Sequence, residues 1–97
     1  MDEIKFSWDE HKAGQNVKKH KVSFQEALTV FYDENAIEYF DPEHSKSEDR
    51  FLILGLSGHF RIIVVSYCVQ QKDSQIRIIS ARKATKKEGE IYIEGRK

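Results

Sequence analysis

Phe51-Leu52-Ile53-Leu54-Gly55-Leu56-Ser57-Gly58-His59-Phe60-Arg61-Ile62-Ile63-Val64-Val65-Ser66-Tyr67 contains two apolar runs broken by one short polar turn. Residues 51–56 and 60–67 are rich in β-branched and aromatic side chains, and Ser57-Gly58 supplies the turn of a hairpin. Both runs are too short for core helices and almost unbroken in hydrophobicity. They read as strands covered on both faces, or nearly so, and therefore central in a sheet. Moving toward the C-terminus, 70–74 is a polar turn and 75–81 returns as another strand. Moving toward the N-terminus, 36–40 reads as an edge strand ended by Asp41-Pro42, and 41–50 as an exposed loop.

The first forty residues add the helices. Residues 4–8 alternate apolar and polar as a short strand, and Asp9 caps a helix over 10–20. Ser23-x-x-Glu26 is a capping box that opens a second helix over 24–32, burying Phe24, Ala27, Leu28 and Phe31. Thr85-x-x-Glu88 is another box, opening a last helix that Gly89 weakens. The order β-α-α-β-β-β-β-α predicts an α+β fold: a small antiparallel sheet with two N-terminal helices and a short C-terminal helix, in one domain spanning 1–97.

Composition sets the outer limits. With 97 residues, 39% hydrophobic and 33% charged, the chain has enough apolar surface for one small core. Net charge is zero, which excludes a polybasic arm, yet its distribution is uneven. Residues 1–50 carry 7 Lys/Arg against 12 Asp/Glu, and residues 51–97 carry 9 against 4. One face can thus attract phosphate while the whole stays neutral. A single cysteine, Cys68, permits no internal disulfide and fits a reducing compartment. There is no 18-residue apolar stretch, and the acidic start Met1-Asp2-Glu3 is unlike a signal peptide, so a cytoplasmic protein without membrane contact is expected.

Several polar residues fall where chemistry could reside. Folding about the 70–74 turn sets Arg61 opposite a residue near 82–84, so Arg61, Arg82 and Lys83 are expected to converge at one end of the sheet. Gly55 would lie in the same region, its missing side chain leaving room for a ligand. Paired guanidiniums grip phosphate bidentately and can neutralise a pentacoordinate transition state. The alternative is surface ion pairing, worth under about 1 kcal/mol per pair. Arg77, nearer the other end of its strand, contacts the ligand or pairs with Glu38 or Glu48. On the first helix Lys12, Asn16 and Lys19 form a polar stripe. His20 is read either as a packed imidazole at a helix C-terminus or as a general acid or base. Asp41, His44 and Glu48 are each competent metal ligands, but the segment has no His pair or Cys pair, and a loop tied down by Asp41, His44 and a Ser45-x-x-Glu48 cap is the better reading. No metal or cofactor is expected. RNA can be cleaved without one, by attack of the ribose 2′-hydroxyl on the adjacent phosphate. Tyr67, Tyr92 and His59 are available for stacking or proton donation.

Three signatures in fixed order carry a family resemblance. They are Trp8-Asp9-x-x-Lys12-x-x-x-Asn16-x-x-Lys19-His20, then Asp41-x-x-His44-Ser45-x-x-Glu48-x-Arg50, then Arg77-Ile78-Ile79-Ser80-Ala81-Arg82-x-Ala84-Thr85-x-x-Glu88. Together they cover nearly the whole chain and resemble the BrnT family of bacterial toxins. The resemblance implies a RelE-like fold and a ribonuclease toxin of a type II toxin–antitoxin pair that arrests translation. It also implies a BrnA-like antitoxin partner, through which alone operator DNA is engaged. Lys12, Asn16, Lys19 and His20 match the first motif; His44, Glu48 and Arg50 the second; Arg77, Ser80, Arg82, Thr85 and Glu88 the third. Lys21 departs from the family, which usually has Gly after Lys-His, a position that favours left-handed backbone.

Two functions follow. In the first, a metal-independent endoribonuclease holds phosphate with Arg61, Arg82 and Lys19, contacts RNA further through Lys12, Arg77 and Lys83, and moves protons with His20, His44 or Glu48. In the second, a catalytically inactive toxin-fold module engages an antitoxin and modulates operator binding.

Overall fold

The computed structural model describes residues 3–70 and 74–96. Strand β1 (Lys5–Ser7) leads into helix α1 (Glu10–His20), whose first turn is capped by the Asp9 carboxylate accepting from the Lys12 amide at 3.1 Å. Helix α2 (Phe24–Thr29) starts at Ser23, whose hydroxyl accepts from the Glu26 amide. Only half of the expected box forms there, because the Glu26 carboxylate is engaged elsewhere. The chain then tightens into a 3₁₀ turn (Val30–Tyr32) where a continuous helix was expected. Strands β2 (Ile37–Phe40), β3 (Arg50–Leu56), β4 (Ile62–Gln70) and β5 (Gln75–Lys83) follow, and α3 (Lys86–Gly95) closes the chain. Thr85 and Glu88 make both halves of the second capping box. The expected turn at 70–74 lies largely outside the described residues.

The strands form one sheet in the order β1-β5-β4-β3-β2. The three meander pairs β2–β3, β3–β4 and β4–β5 are antiparallel as expected, but β1 runs parallel to β5. The sheet is therefore mixed. The excursion through α1 and α2 carries the chain from one sheet edge to the other, and a crossover of that kind, unlike a hairpin, does not impose antiparallel pairing.

One face of the sheet packs under α1, α2 and the 3₁₀ turn. Val22, Phe24, Ala27 and Val30 meet Ile53, Ile63, Val65, Tyr67, Ile78 and Ala81 there. The Phe31 ring stands edge-on to Tyr67 at 4.9 Å between centroids. The opposite face is covered at one end only, where Tyr92 of α3 packs on Leu54 and Val64. The Tyr92 hydroxyl donates to Asp33 at 2.6 Å, and the other donor to that carboxylate oxygen is the Leu56 amide at 2.8 Å. Burial and this carboxylate push the Tyr92 pKa up to about 12.

Candidate nucleic-acid interface

Register decides which side chains meet. Residues paired directly across strands share a face, so the row Leu54, Val64, Arg82 places Arg82 on the face of α3. Arg61 has the opposite parity and projects toward α2. There its Nε donates to Glu26 at 3.0 Å, one Nη makes a short bond to the other oxygen of that carboxylate, and the same Nη donates to the Lys21 carbonyl at 2.9 Å. Glu26 is only 3% exposed and also accepts from Ser57 at 2.7 Å. The Arg61 hydrogen bond, aided by Ser57, holds its carboxyl below the usual range against the opposing effect of burial. Arg82 reaches Glu88 through two parallel bonds of 2.8 and 2.9 Å, which lower the Glu88 pKa to about 2.

The expected convergence of Arg61 and Arg82 is thus corrected. The two guanidiniums lie on opposite faces, each tied to a carboxylate. Lys83 shares the face of Ile63 and so sides with Arg61 rather than Arg82. Gly55 leaves no space for a ligand either. A Cβ there would sit 2.8 Å from the Val30 Cγ1 and 3.1 Å from Ala36 and Asp33, so the glycine admits the 3₁₀ turn against the sheet.

A different cluster forms on the half of the sheet that α3 leaves open. Arg50 pairs with Cys68, Cys68 with Arg77, and Arg77 with Ser7, giving one row with two guanidiniums over a buried thiol. The next row is Leu52, Ser66 and Ser80. Glu48 reaches over this face from its loop, 3.7 Å from the Arg50 Nε. Burial first, and then the Glu48 carboxylate, push the Cys68 thiol upward, so it is a packed neutral group and no nucleophile. Among the described residues Arg77 makes no ion pair, with Glu38 or Glu48 or any other carboxylate.

A β-bulge builds this arrangement. Tyr67 pairs with Ile78 and Ser66 with Ser80, so Ile79 has no opposite number. Five positions separate Arg77 from Arg82, and strict alternation would put them on opposite faces. The extra residue restores them to the same one, together with Ser80.

The edge of β5 is the second part of the surface. β1 pairs only with Gln75, Ile76 and Arg77, leaving the outer edge of β5 open beyond that point. Asn16 of α1 covers part of it: its Nδ2 donates to the carbonyls of Ala81 and Val22, each at 2.8 Å, and its Oδ1 accepts from the Ala81 amide at 3.1 Å. A buried amide thus replaces a missing strand, and Asn16 holds α1 to the sheet while keeping its place in the polar stripe with Lys12 and Lys19. A groove of about 260 Å³ runs there, with Lys12, Asn16, Lys19, His20, Ile79 and Ser80 in its lining. Ser80 belongs to this groove and to the Arg77 face, so the two surfaces adjoin across the strand edge.

The remaining expected site residue, His44, is exposed in a 3₁₀ turn (Pro42–His44), its Nδ1 2.8 Å from Asp41. The expected Ser45 cap does not form. Ser45 closes the loop instead, donating to the Asp41 carbonyl and accepting from the Arg50 amide at 2.9 Å. Arg50 was matched in the sequence only through the motif. Its parity with Leu52 and Leu54 was the signal that placed it on the open face.

The three motifs span the stretch over which the chain matches a known family. The model of a family described as "Ribonuclease toxin, BrnT, of type II toxin-antitoxin system" matches residues 8–88. The chain belongs to this family. Its fold is similar to the crystal structure of the Brucella abortus ribonuclease toxin BrnT, with a TM-score of 0.64 and 25% sequence identity, over 86% of this chain and 99% of that one. No curated protein matches. The similarity places the α+β fold and its five-stranded mixed sheet within the family.

Proposed function

We propose that the chain is an endoribonuclease that cleaves RNA to inhibit translation, acting in the cytoplasm and held in check by a BrnA-like antitoxin. The observation that carries this reading is the open sheet face. Arg50 and Arg77 stand there with Ser66 and Ser80, Arg82 lies at its border with α3, and the Lys12–Lys19–His20 groove adjoins across the edge of β5. RNA backbone laid over that edge would meet cations on both sides. Arg77, with no competing carboxylate among the described residues, is the phosphate contact of choice. Arg82 is pre-aimed by Glu88, and RNA would compete with that carboxylate for it.

In-line attack by a 2′-hydroxyl requires a base to remove its proton, an acid to protonate the leaving oxygen, and positive charge around the phosphorus. Glu48 beside Arg50 and His20 in the groove wall are the proton-transfer groups best placed for this surface, and His44, oriented by Asp41, is the third. Arg61 supports the fold behind them. The chemistry requires no metal, and cleavage persisting in excess chelator is expected.

Purified, antitoxin-free protein incubated with total RNA tests the reading. Wild type should cleave it. Arg77→Ala should slow cleavage at least tenfold at unchanged melting temperature, and intact RNA with wild type would overturn the proposal. Because Arg61 and Arg82 are both already ion-paired, the binding-module reading keeps a specific footing; intact RNA together with tight capture of a small ribbon-helix-helix protein is its signature.

A further inference from the structure

The β3–β4 hairpin holds a side chain that its backbone disfavours. The Ser57 amide donates to the Arg61 carbonyl at 2.8 Å and the Phe60 amide to the Ser57 carbonyl at 2.9 Å, so the loop turns at Gly58 and His59. Phe60 then adopts φ of 62°, the left-handed position that three-residue hairpin loops usually give to glycine. Its ring is 85% exposed, well beyond any other large apolar side chain described. Backbone and solvent both oppose a phenylalanine here, and nothing in the fold gains from it.

The tip is rigid. The Gly58 amide donates to the Thr29 hydroxyl at 2.8 Å, Ser57 to Glu26, and the next residue, Arg61, fastens the strand to the Lys21 carbonyl. That last bond sets the tip beside the C-terminal end of α1, where Lys18, Lys19 and Lys21 gather and where His20 lines the groove. On the other side the Ala84 amide donates to the Ile62 carbonyl, bringing the start of α3 with Lys86 and Lys87 alongside. The Glu26 carboxylate at the base of the tip is buried and paired with Arg61.

We propose that Phe60 is a stacking platform for a nucleobase of single-stranded RNA, with the flanking lysines holding the phosphates on either side of that base. The inference rests on the ribonuclease reading and extends it by adding a contact beyond the open sheet face. A flat ring, held out on an anchored turn with lysines on the elements to either side, suits a base with charged neighbours. An apolar protein partner would instead find a lone ring among lysines.

A 2′-O-methyl oligonucleotide carrying 2-aminopurine, which cannot be cut through its 2′ position, tests this in solution. Wild type should bind it and quench the 2-aminopurine fluorescence. Phe60→Gly should bind about tenfold more weakly and lose the quenching, with a melting temperature equal to or above wild type because glycine suits the backbone. Phe60→Trp should restore both. Wild-type binding with undiminished affinity in Phe60→Gly overturns the inference and leaves the ribonuclease reading standing. The same result with weakened antitoxin capture also overturns it, assigning the ring to a protein contact. Absence of any oligonucleotide or RNA binding by wild type removes both.

Discussion

Arg61 and Arg82 are each half-buried and paired with a glutamate, yet they differ in what depends on them. Glu26 is almost wholly enclosed, so Arg61→Ala would strand a buried carboxylate and should destabilise the protein by about 3 kcal/mol, read from the urea denaturation midpoint. Arg82→Ala leaves Glu88 partly in water and should cost only about 1 kcal/mol. Any loss of activity on changing Arg61 should therefore track lost stability, whereas loss on changing Arg82 should not. Lys21 is the third informative residue. It sits just past α1 with φ of 60° and ψ of 32°, the left-handed geometry expected from its place in the sequence. Lys21→Gly should raise unfolding stability by about 1 kcal/mol. An unchanged or lower midpoint would mean that the Lys21 Nζ contact with the Lys18 carbonyl, at 3.3 Å, outweighs the backbone strain.

At the scale of elements, α3 is the piece most exposed to pH. It is held by the Thr85 capping box, by Arg82 on Glu88, and by Tyr92 on Asp33. The Glu88 carboxyl falls from its ordinary 4.5 to about 2, with the Arg82 hydrogen bonds the main cause. A carboxyl depressed in the folded state stabilises it fully above its unfolded value and loses that contribution as pH falls through the folded one. Stability should therefore drop between about pH 4.5 and 2. Glu26 and Asp33, also lowered, add to the same slope. Glu88→Gln should flatten the acid limb by roughly 1–2 kcal/mol, discounted for partial exposure. Thermal melts of both proteins from pH 6 to 2 check this; parallel curves would show that the Arg82–Glu88 pair contributes nothing.

For the whole molecule, a neutral chain with cations collected on one edge should bind RNA in a strongly salt-dependent way. If Lys12, Lys19, Arg77 and Arg82 each neutralise one phosphate, raising salt from 50 to 200 mM should weaken single-strand binding by about 50-fold. Arg77→Ala should lower the log–log slope by about 0.7, measured by titration at several salt concentrations. Element order, the boundaries of α1, the edge position of β2 and the helix caps at Asp9, Ser23 and Thr85 were legible in the sequence, because they depend on local patterns of period, capping and turn chemistry. The half-formed box at Ser23 and the break of α2 into a 3₁₀ turn were not, because Glu26 and Val30 answer to Ser57, Arg61 and Gly55, distant in the chain. The site was legible as a set of residues but not as an arrangement. Lys12, Lys19 and His20 do share a groove, while the Arg61–Arg82 clamp dissolves once parity assigns them to opposite faces. By itself the sequence determined which segments become strands and helices and which residues carry charge, since both are properties of neighbours a few positions apart. Only the tertiary structure decided that β1 runs parallel to β5, that a bulge at Ile79 turns Arg77 and Arg82 to one face, and that Asn16 seals the strand edge. Each of these depends on register between segments remote in sequence, where a shift of one residue exchanges the two faces of a sheet.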